Sequence, residues 1–276
     1  MTTITSRENQ RTAQSRRLAF ERCLKEFAIP ALWKRLWWKS LLDRLAALVL
    51  LIPGLPLIGL LVALVRLTSP GPGIYRQQRV GRGGHVFTMY KLRSMRIDAE
   101  AATGPVWAQA GEDFRVTPLG VQLRRLHLDE LPQLFNVLRG DMSLVGPRPE
   151  RPEFVAVLAE QIPGYLNRLQ VLPGITGLAQ VNLPPDSDLD SVRRKLALDC
   201  EYIDRADLSL DLRIVLCTLL RVVGMRGGRG VRWLGLQRTV VLPANSSASV
   251  GAGAVLPATP RSIAEATPSG AAVGGS

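Results

Sequence analysis

Cysteine and histidine are scarce in this chain: three cysteines, Cys23, Cys200 and Cys217, and two histidines among 276 residues. The cysteines lie far apart, are odd in number and form no metal-ligand spacing, which fits a reducing, cytosolic-side environment and gives no basis for a structural zinc site. Acids are also in deficit. Lys and Arg number 35 against 23 Asp and Glu, a formal charge of +12, and the run from Arg66 to Arg96 holds no acid at all. That balance predicts an anionic partner; nucleic acid, acidic lipid and a polyphosphate substrate all qualify. Aromatics make up only 5% of the residues. No stacking series and no readable nucleic-acid motif is present, so a membrane-tethered nucleic-acid binder is the weaker reading. The glycine cluster Gly81–Gly84 is not followed by Gly-Lys-Ser/Thr, which excludes a Walker loop. No internal repeat is visible.

What the chain does have is one aliphatic block. Leu45 to Val65 carries no charge, and as a straight helix it would run roughly 30 Å, about enough to span a bilayer. Pro53, Gly54 and Pro56 occupy its middle and divide it into arms of roughly 12–15 Å each. Both flanks are basic, with Lys39 and Arg44 before it and Arg66 to Arg96 after it. The positive-inside rule therefore places both flanks in the cytosol, which a re-entrant hairpin satisfies and a single span does not. A kinked full span is the alternative. No small-residue cleavage site follows the block, which argues against a cleaved signal peptide. Ahead of it, Trp33, Trp37 and Trp38 with Lys34, Arg35 and Lys39 suit a membrane interface, an amphipathic core helix being the alternative.

The richest stretch is Leu123 to Glu150. Asp129 and Glu130 precede an apolar run (Leu131, Leu134, Phe135, Leu138) at helical spacing. Pro132 is tolerated only in a first helical turn, so a helix is expected from about Asp129. On spacing alone such a pair is an N-cap with an acid that complements the dipole. Its company raises it to a candidate site: Arg124 and Arg125 before, Arg139 after, and Arg148 in the stiff Gly146-Pro147-Arg148-Pro149 turn. Around this core, Ile74–Val80 and His85–Tyr90 read as a hairpin that delivers Lys91 and Arg93 into a basic turn. Both could hold diphosphate or anchor to lipid headgroups. Thr117 caps a short helix ending near Leu126, and Ala99 to Gly111 is a small-residue loop. Helices follow over Glu153–Gln161 and Asp190–Arg205. Leu208–Val223 is a more apolar helix that lies either in the membrane interface or in the core. Pro173–Asn182 reads as a turn-rich loop whose glycines would let backbone approach a ligand. Gly224–Arg232 adds cations without structure, and residues 242–276 form a low-complexity, disordered tail.

Four ordered motifs resemble those of the bacterial sugar transferase family, the monotopic polyprenyl-phosphate phosphoglycosyl transferases. They are Tyr90-Lys-Leu-Arg-Ser-Met95, Leu128-Asp-Glu-Leu-Pro-Gln-Leu-Phe-Asn-Val-Leu138, Gly140-Asp-Met-Ser-Leu-Val-Gly-Pro-Arg-Pro149 and Pro173-Gly-Ile-Thr-Gly-Leu-Ala-Gln-Val-Asn182. The resemblance covers roughly residues 40 to 225. It implies an α+β, mostly helical monotopic membrane protein with a re-entrant helix–break–helix, interfacial amphipathic helices and a small β-hairpin. The family's break is often a Ser-Pro pair; here Leu55-Pro56 stands in its place, preceded by Pro53-Gly54. The implied organisation is a basic N-terminal extension with an interfacial helix (1–39), a membrane hairpin (40–66), a cytosolic transferase domain (67–232) and the tail. The implied site has Asp129 as nucleophile, Glu130 in a Mg²⁺ site, and Arg148 and Arg124 on phosphate, with Lys91 and Arg93 beside them. The implied reaction moves a sugar 1-phosphate from a nucleoside-diphosphate sugar, UDP in the usual case, to polyprenyl (undecaprenyl) phosphate. It would run at the cytosolic face of a bacterial inner membrane and open the synthesis of a surface polysaccharide. A homo-oligomer is left open, nucleic acid is not an expected partner, and a non-catalytic scaffold of a glycan-assembly complex is the rival function.

Overall fold

The computed structural model describes residues 37–99, 113–224 and 228–242. The N-terminal extension, most of the loop 99–111 and the low-complexity tail lie outside the described residues. The described chain is mostly helical, with two small two-stranded sheets and one long apolar helix, α1 (Trp37–Thr68). Its 32 residues correspond to about 48 Å.

The two arms expected from Pro53 and Pro56 are one continuous helix, although each proline removes an i→i−4 bond, those to the Val49 and Ile52 carbonyls. Both prolines lie on the exposed side. The buried stripe runs past them without a change of phase: Lys39, Asp43, Ala47, Leu51, Gly54, Ile58, Leu61 and Val65, at steps of three and four. That stripe packs on the body along the whole helix. Ala47, Leu51 and Ile58 meet Phe87, Met89, Leu134, Val137 and Met142, while Leu61 and Val65 meet Leu92 and Leu123. Leu45, Leu48, Val49, Ile52, Leu55, Leu60, Leu64 and Leu67 face outward. Only 28% of its most apolar window is buried, so α1 is not a core helix. Its first turns are fixed by a buried charge cluster. Lys39 Nζ lies 3.1 Å from Asp43 Oδ2 and 2.7 Å from Asp211 Oδ2, and Ser143 Oγ donates to Asp43 Oδ2 at 2.5 Å.

Strands β1 (Ile74–Val80) and β2 (Val86–Leu92) pair antiparallel, from Ile74↔Leu92 to Val80↔Val86. Lys91 is therefore inside β2, one residue before its end, and not in the turn beyond it. After α2 (Pro118–Arg125), capped by Thr117 as its sequence predicts, comes a 3₁₀ turn over Leu128–Glu130 and then α3 (Gln133–Arg139). Strand β3 (Ser143–Val145) pairs in parallel with β4 (Gly174–Thr176). Between them lie α4 (Pro152–Gln161) and a 3₁₀ segment, Tyr165–Gln170.

The glycines of Pro173-Gly-Ile-Thr-Gly177 do a different job from the ligand approach expected of them: they let two backbone segments touch. A Cβ on Gly174 would stand 2.1 Å from the Gly146 nitrogen, and one on Gly177 2.2 Å from the Gly146 carbonyl oxygen. Helix α5 (Leu178–Asn182) follows, so this motif is a strand and a helical turn pressed against Gly146, not an open loop.

Helix α6 (Leu189–Arg205) begins on a capping box between Asp188 and Ser191, and α7 (Leu208–Val222) on an Asp207 cap. Helix α7 is amphipathic: Leu210, Ile214 and Cys217 are in the core, whereas Leu208, Leu212, Leu216 and Leu219 are exposed. The segment expected to be structureless carries a short helix, α8 (Arg229–Trp233). The packed body also continues past position 232, because Val231 and Leu236 enter the α6–α7 core and Arg238 Nε lies 2.6 Å from Glu201 Oε1. Two apolar positions within a run of cations are too few for a periodic signal, which is why the sequence alone does not reveal this helix.

Candidate active site

Asp129 and Glu130 sit in the 3₁₀ turn that precedes α3, not in its first α-helical turn. The reason is Pro132. It has no N–H, and its neighbours close three-residue turns instead: Leu131 N to Leu128 O and Leu134 N to Leu131 O, both with i→i−3 spacing. His127, at φ 54°, turns the chain between α2 and this segment. It is the one non-glycine residue with positive φ among the described residues.

Two distant segments converge on Glu130. Lys91 Nζ, from β2, lies 3.0 Å from Glu130 Oε1, and Arg148 Nη2, from the turn after β3, lies 2.5 Å from the same oxygen. The other oxygen, Oε2, takes neither cation. Asp129 is only 7% exposed, yet its carboxylate has no hydrogen-bond or ion-pair partner among the described residues. The adjacent acids thus have opposite environments. Burial, then the charge of Glu130, pushes the Asp129 carboxyl above the ordinary aspartate value. Burial would do the same to Glu130, but the charges and hydrogen bonds of Arg148 and Lys91 more than offset it and hold Glu130 far below the carboxylate range. Burial lowers the Lys91 ammonium, and Glu130 holds the Arg148 guanidinium fully charged.

Two of the other expected site residues are placed differently. Arg124 acts on Asp129 through its charge but donates its Nε to Ser94 Oγ at 2.9 Å. Arg93, buried, turns to the end of α1, donating to the carbonyls of Pro70 at 2.5 Å and Ser69 at 2.8 Å. Asn136 was not legible as part of the site. Fully buried on α3, it accepts from Tyr90 N at 3.1 Å and donates to the Thr88 carbonyl at 2.7 Å. It completes the free edge of β2 on either side of Met89 and so fixes the Lys91 strand to the helix of the acid pair. The available signal was a polar residue inside an apolar stripe, which needs a partner when buried.

The donor set also suits a hard cation. No group of three or more His, Cys, Asp or Glu side chains converges among the described residues, so an all-protein cage is not on offer. Mg²⁺ instead takes one or two carboxylates, keeps waters and borrows phosphate oxygens. The unpartnered Asp129 carboxylate and the free Glu130 Oε2 fit that habit.

Comparison with known proteins identifies the family. A family model described as bacterial sugar transferase matches residues 34–225, which contain all of these groups. A putative undecaprenyl-phosphate N-acetylgalactosaminyl 1-phosphate transferase of Bacillus subtilis is 54% identical over 131 residues, 48% of this chain and 72% of that protein. A UDP-N-acetylgalactosamine-undecaprenyl-phosphate N-acetylgalactosaminephosphotransferase of Aeromonas hydrophila is 44% identical over 188 residues, 68% of this chain and 44% of its own length. A UDP-glucose:undecaprenyl-phosphate glucose-1-phosphate transferase of Xanthomonas campestris pv. campestris is 41% identical over 190 residues, 68% of this chain and 39% of its own. The chain thus spans less than half of the last two relatives. With most of its length matched, and with the acid pair, Lys91 and Arg148 inside the matched region, the chain belongs to the bacterial sugar transferase family.

Proposed function

We propose that this chain transfers a sugar 1-phosphate from a UDP-sugar to polyprenyl phosphate through a covalent intermediate on Asp129. The observation that carries this is the split environment of the acid pair: a buried, unpartnered Asp129 beside a Glu130 neutralised by Lys91 and Arg148. An unpaired carboxylate of raised basicity is the better nucleophile. An Asp129 oxygen attacks the phosphorus that bears the sugar. The bond from that phosphorus to the bridging oxygen breaks, and UMP leaves with the electron pair. An oxygen of the polyprenyl phosphate then attacks the same phosphorus, and the Asp129 carboxylate departs unchanged. In this reading Arg148 and Lys91 meet the negative charge on the phosphoryl oxygens with a planar fork and an ammonium. Mg²⁺, held by Glu130 and Asp129 when bound, would supply further neutralisation of the diphosphate.

The relatives' names differ in sugar, N-acetylgalactosamine in two and glucose in the third. The deciding assay offers the purified protein UDP-glucose and UDP-N-acetylgalactosamine separately, with Mg²⁺ and undecaprenyl phosphate, and follows UMP. Release with one of them, dependent on the lipid for multiple turnovers, is expected. No UMP from any UDP-sugar would leave the scaffold reading standing.

The exposed leucines of α1 support a monotopic membrane arrangement. The buried stripe of α1 rides on the body from Lys39 to Val65, so an upright span would carry the body packed on that stripe, with Asp211 and Arg93, towards the lipid. A helix lying along one leaflet, with its outward leucines in lipid and the body on the cytosolic side, avoids that cost. Both termini are then cytosolic. With the native cysteines replaced by alanine, Ser6→Cys and Ser269→Cys should be labelled from the same side of sealed vesicles. Opposite accessibility would overturn the monotopic arrangement.

A further inference from the structure

The turn bearing Arg148 is held almost wholly through its carbonyls. Pro147 and Pro149 have no N–H to give, and each carbonyl from 147 to 150 accepts from a residue distant in sequence. Gly174 N donates to the Pro147 carbonyl and Val80 N to the Glu150 carbonyl, both at 2.9 Å. The two in between are taken by guanidinium groups. Arg168 Nη2 donates to the Arg148 carbonyl at 2.8 Å, and Arg79 Nη1 to the Pro149 carbonyl at 2.9 Å.

Arg168 is itself fixed on every side. It is 4% exposed, its Nε and Nη2 lie 3.0 and 2.8 Å from Asp199 Oδ2, and its Nη1 donates to the Tyr165 hydroxyl at 2.9 Å. Both guanidiniums also face the Glu150 carboxylate, Arg79 at 3.6 Å and Arg168 at 3.9 Å, and Lys195 Nζ lies 2.5 Å from it and 2.6 Å from Asp186 Oδ2. The chain therefore places a rigid, charge-balanced block directly behind the residue whose side chain reaches Glu130. A carbonyl needs only one donor, and water would serve at a surface turn. Two desolvated guanidiniums are a costly way to meet that need, unless the turn must be held in one place.

We infer that Arg168, with Arg79 beside it, is a positioning residue: it sets where the Arg148 guanidinium stands and so how well the site meets the transferring phosphoryl group. This rests on the reading of Arg148 as the phosphate-binding residue. Arg168, only 4% exposed, acts on the site through the Arg148 backbone.

A double-mutant cycle on the full chain in lipid nanodiscs tests it. Arg168→Lys keeps the charge facing Glu150 and Asp199 but cannot reach Asp199 and the Arg148 carbonyl with one fork. It should lower kcat about tenfold or more, while the thermal midpoint stays within a few degrees of wild type. In an Arg148→Lys background, already slow, the same change should cost less than about twofold, because the side chain it positions is gone. Equal losses in both backgrounds would overturn the inference and leave Arg168 a stability residue. Should Arg168→Lys fail to fold, the cycle is run with the less buried Arg79→Gln, and additivity there overturns it equally. Wild-type protein that releases no UMP from any UDP-sugar would instead overturn the functional reading beneath it.

Discussion

Asp129→Asn is expected to abolish transfer, with a loss on the order of 10⁴-fold or more in turnover, and to stabilise the protein at neutral pH. The first effect follows from the covalent step. The amide keeps the shape of the carboxylate but has no anionic oxygen to form the acyl phosphate. Wild-type protein given Mg²⁺ and its UDP-sugar, without lipid acceptor, should release up to one equivalent of UMP and retain a labelled phospho-sugar; the variant should do neither. Ping-pong kinetics belong to the same scheme. Intersecting-line kinetics with no isolable labelled protein would mean direct attack by the lipid phosphate, and Asp129 would become a metal ligand only.

The second effect follows from burial. Asp129 has a folded pKa above its unfolded value, so the folded state holds its proton more tightly. Its contribution to stability is therefore lost as pH rises through that interval, and at pH 7 the buried charge is a net cost. Asn removes the cost. Thermal unfolding should show the variant melting no lower than wild type at neutral pH, with the difference closing as pH falls below the ordinary aspartate range. Nucleophiles kept in unfavourable surroundings commonly trade stability for activity in this way.

How much of this was legible beforehand depends on whether a feature is local. The acid pair, Lys91 and Arg148 stand out as candidates because their motifs are short and contiguous, and helices such as Asp190–Arg205 were legible because their caps and periodicity lie within one segment. The features that eluded sequence reasoning are contacts between distant segments. Arg93 reads as a site cation, yet nothing local shows that the end of α1, some 24 positions back, supplies its acceptors. The glycines at 174 and 177 read as ligand-approach residues until Gly146 is seen against them. Pro132 pointed to a helix start, correctly, but its missing N–H moved that start to Gln133 and left the acid pair in a tighter turn. For α1 the prolines argued for two arms, while the unbroken phase of its buried stripe reflects packing on β2, α3 and Leu123, which no local rule encodes.

Glu130→Gln should have the opposite effect on stability from its neighbour. The carboxylate is the shared counter-ion of Lys91 and Arg148, and the amide leaves both cations without it. Removing one partner of a buried ion pair costs about 3–5 kcal/mol. Here the Arg148 side chain is 36% exposed and partly solvated, which brings the expectation down to about 1–3 kcal/mol. For a chain of this size that is roughly 2–4 °C in the thermal midpoint per kcal/mol. The pH dependence carries the sign. Glu130 has a folded pKa far below its unfolded one, so its contribution is complete above the ordinary glutamate value and is lost only as pH falls through the folded value. The gap between wild type and Glu130→Gln should hold from neutral pH down to about pH 5 and narrow only in stronger acid. Turnover should fall, and more Mg²⁺ should be needed to support what remains, since one oxygen donor is lost and the two cations are free to crowd the metal. The decisive comparison is between the two variants at pH 7. Asp129→Asn holding or raising the midpoint while Glu130→Gln lowers it is the signature of one free and one neutralised carboxylate. Equal destabilisation by both would mean that the acids share their cations, and the case for Asp129 as the free nucleophile would lose its physical basis.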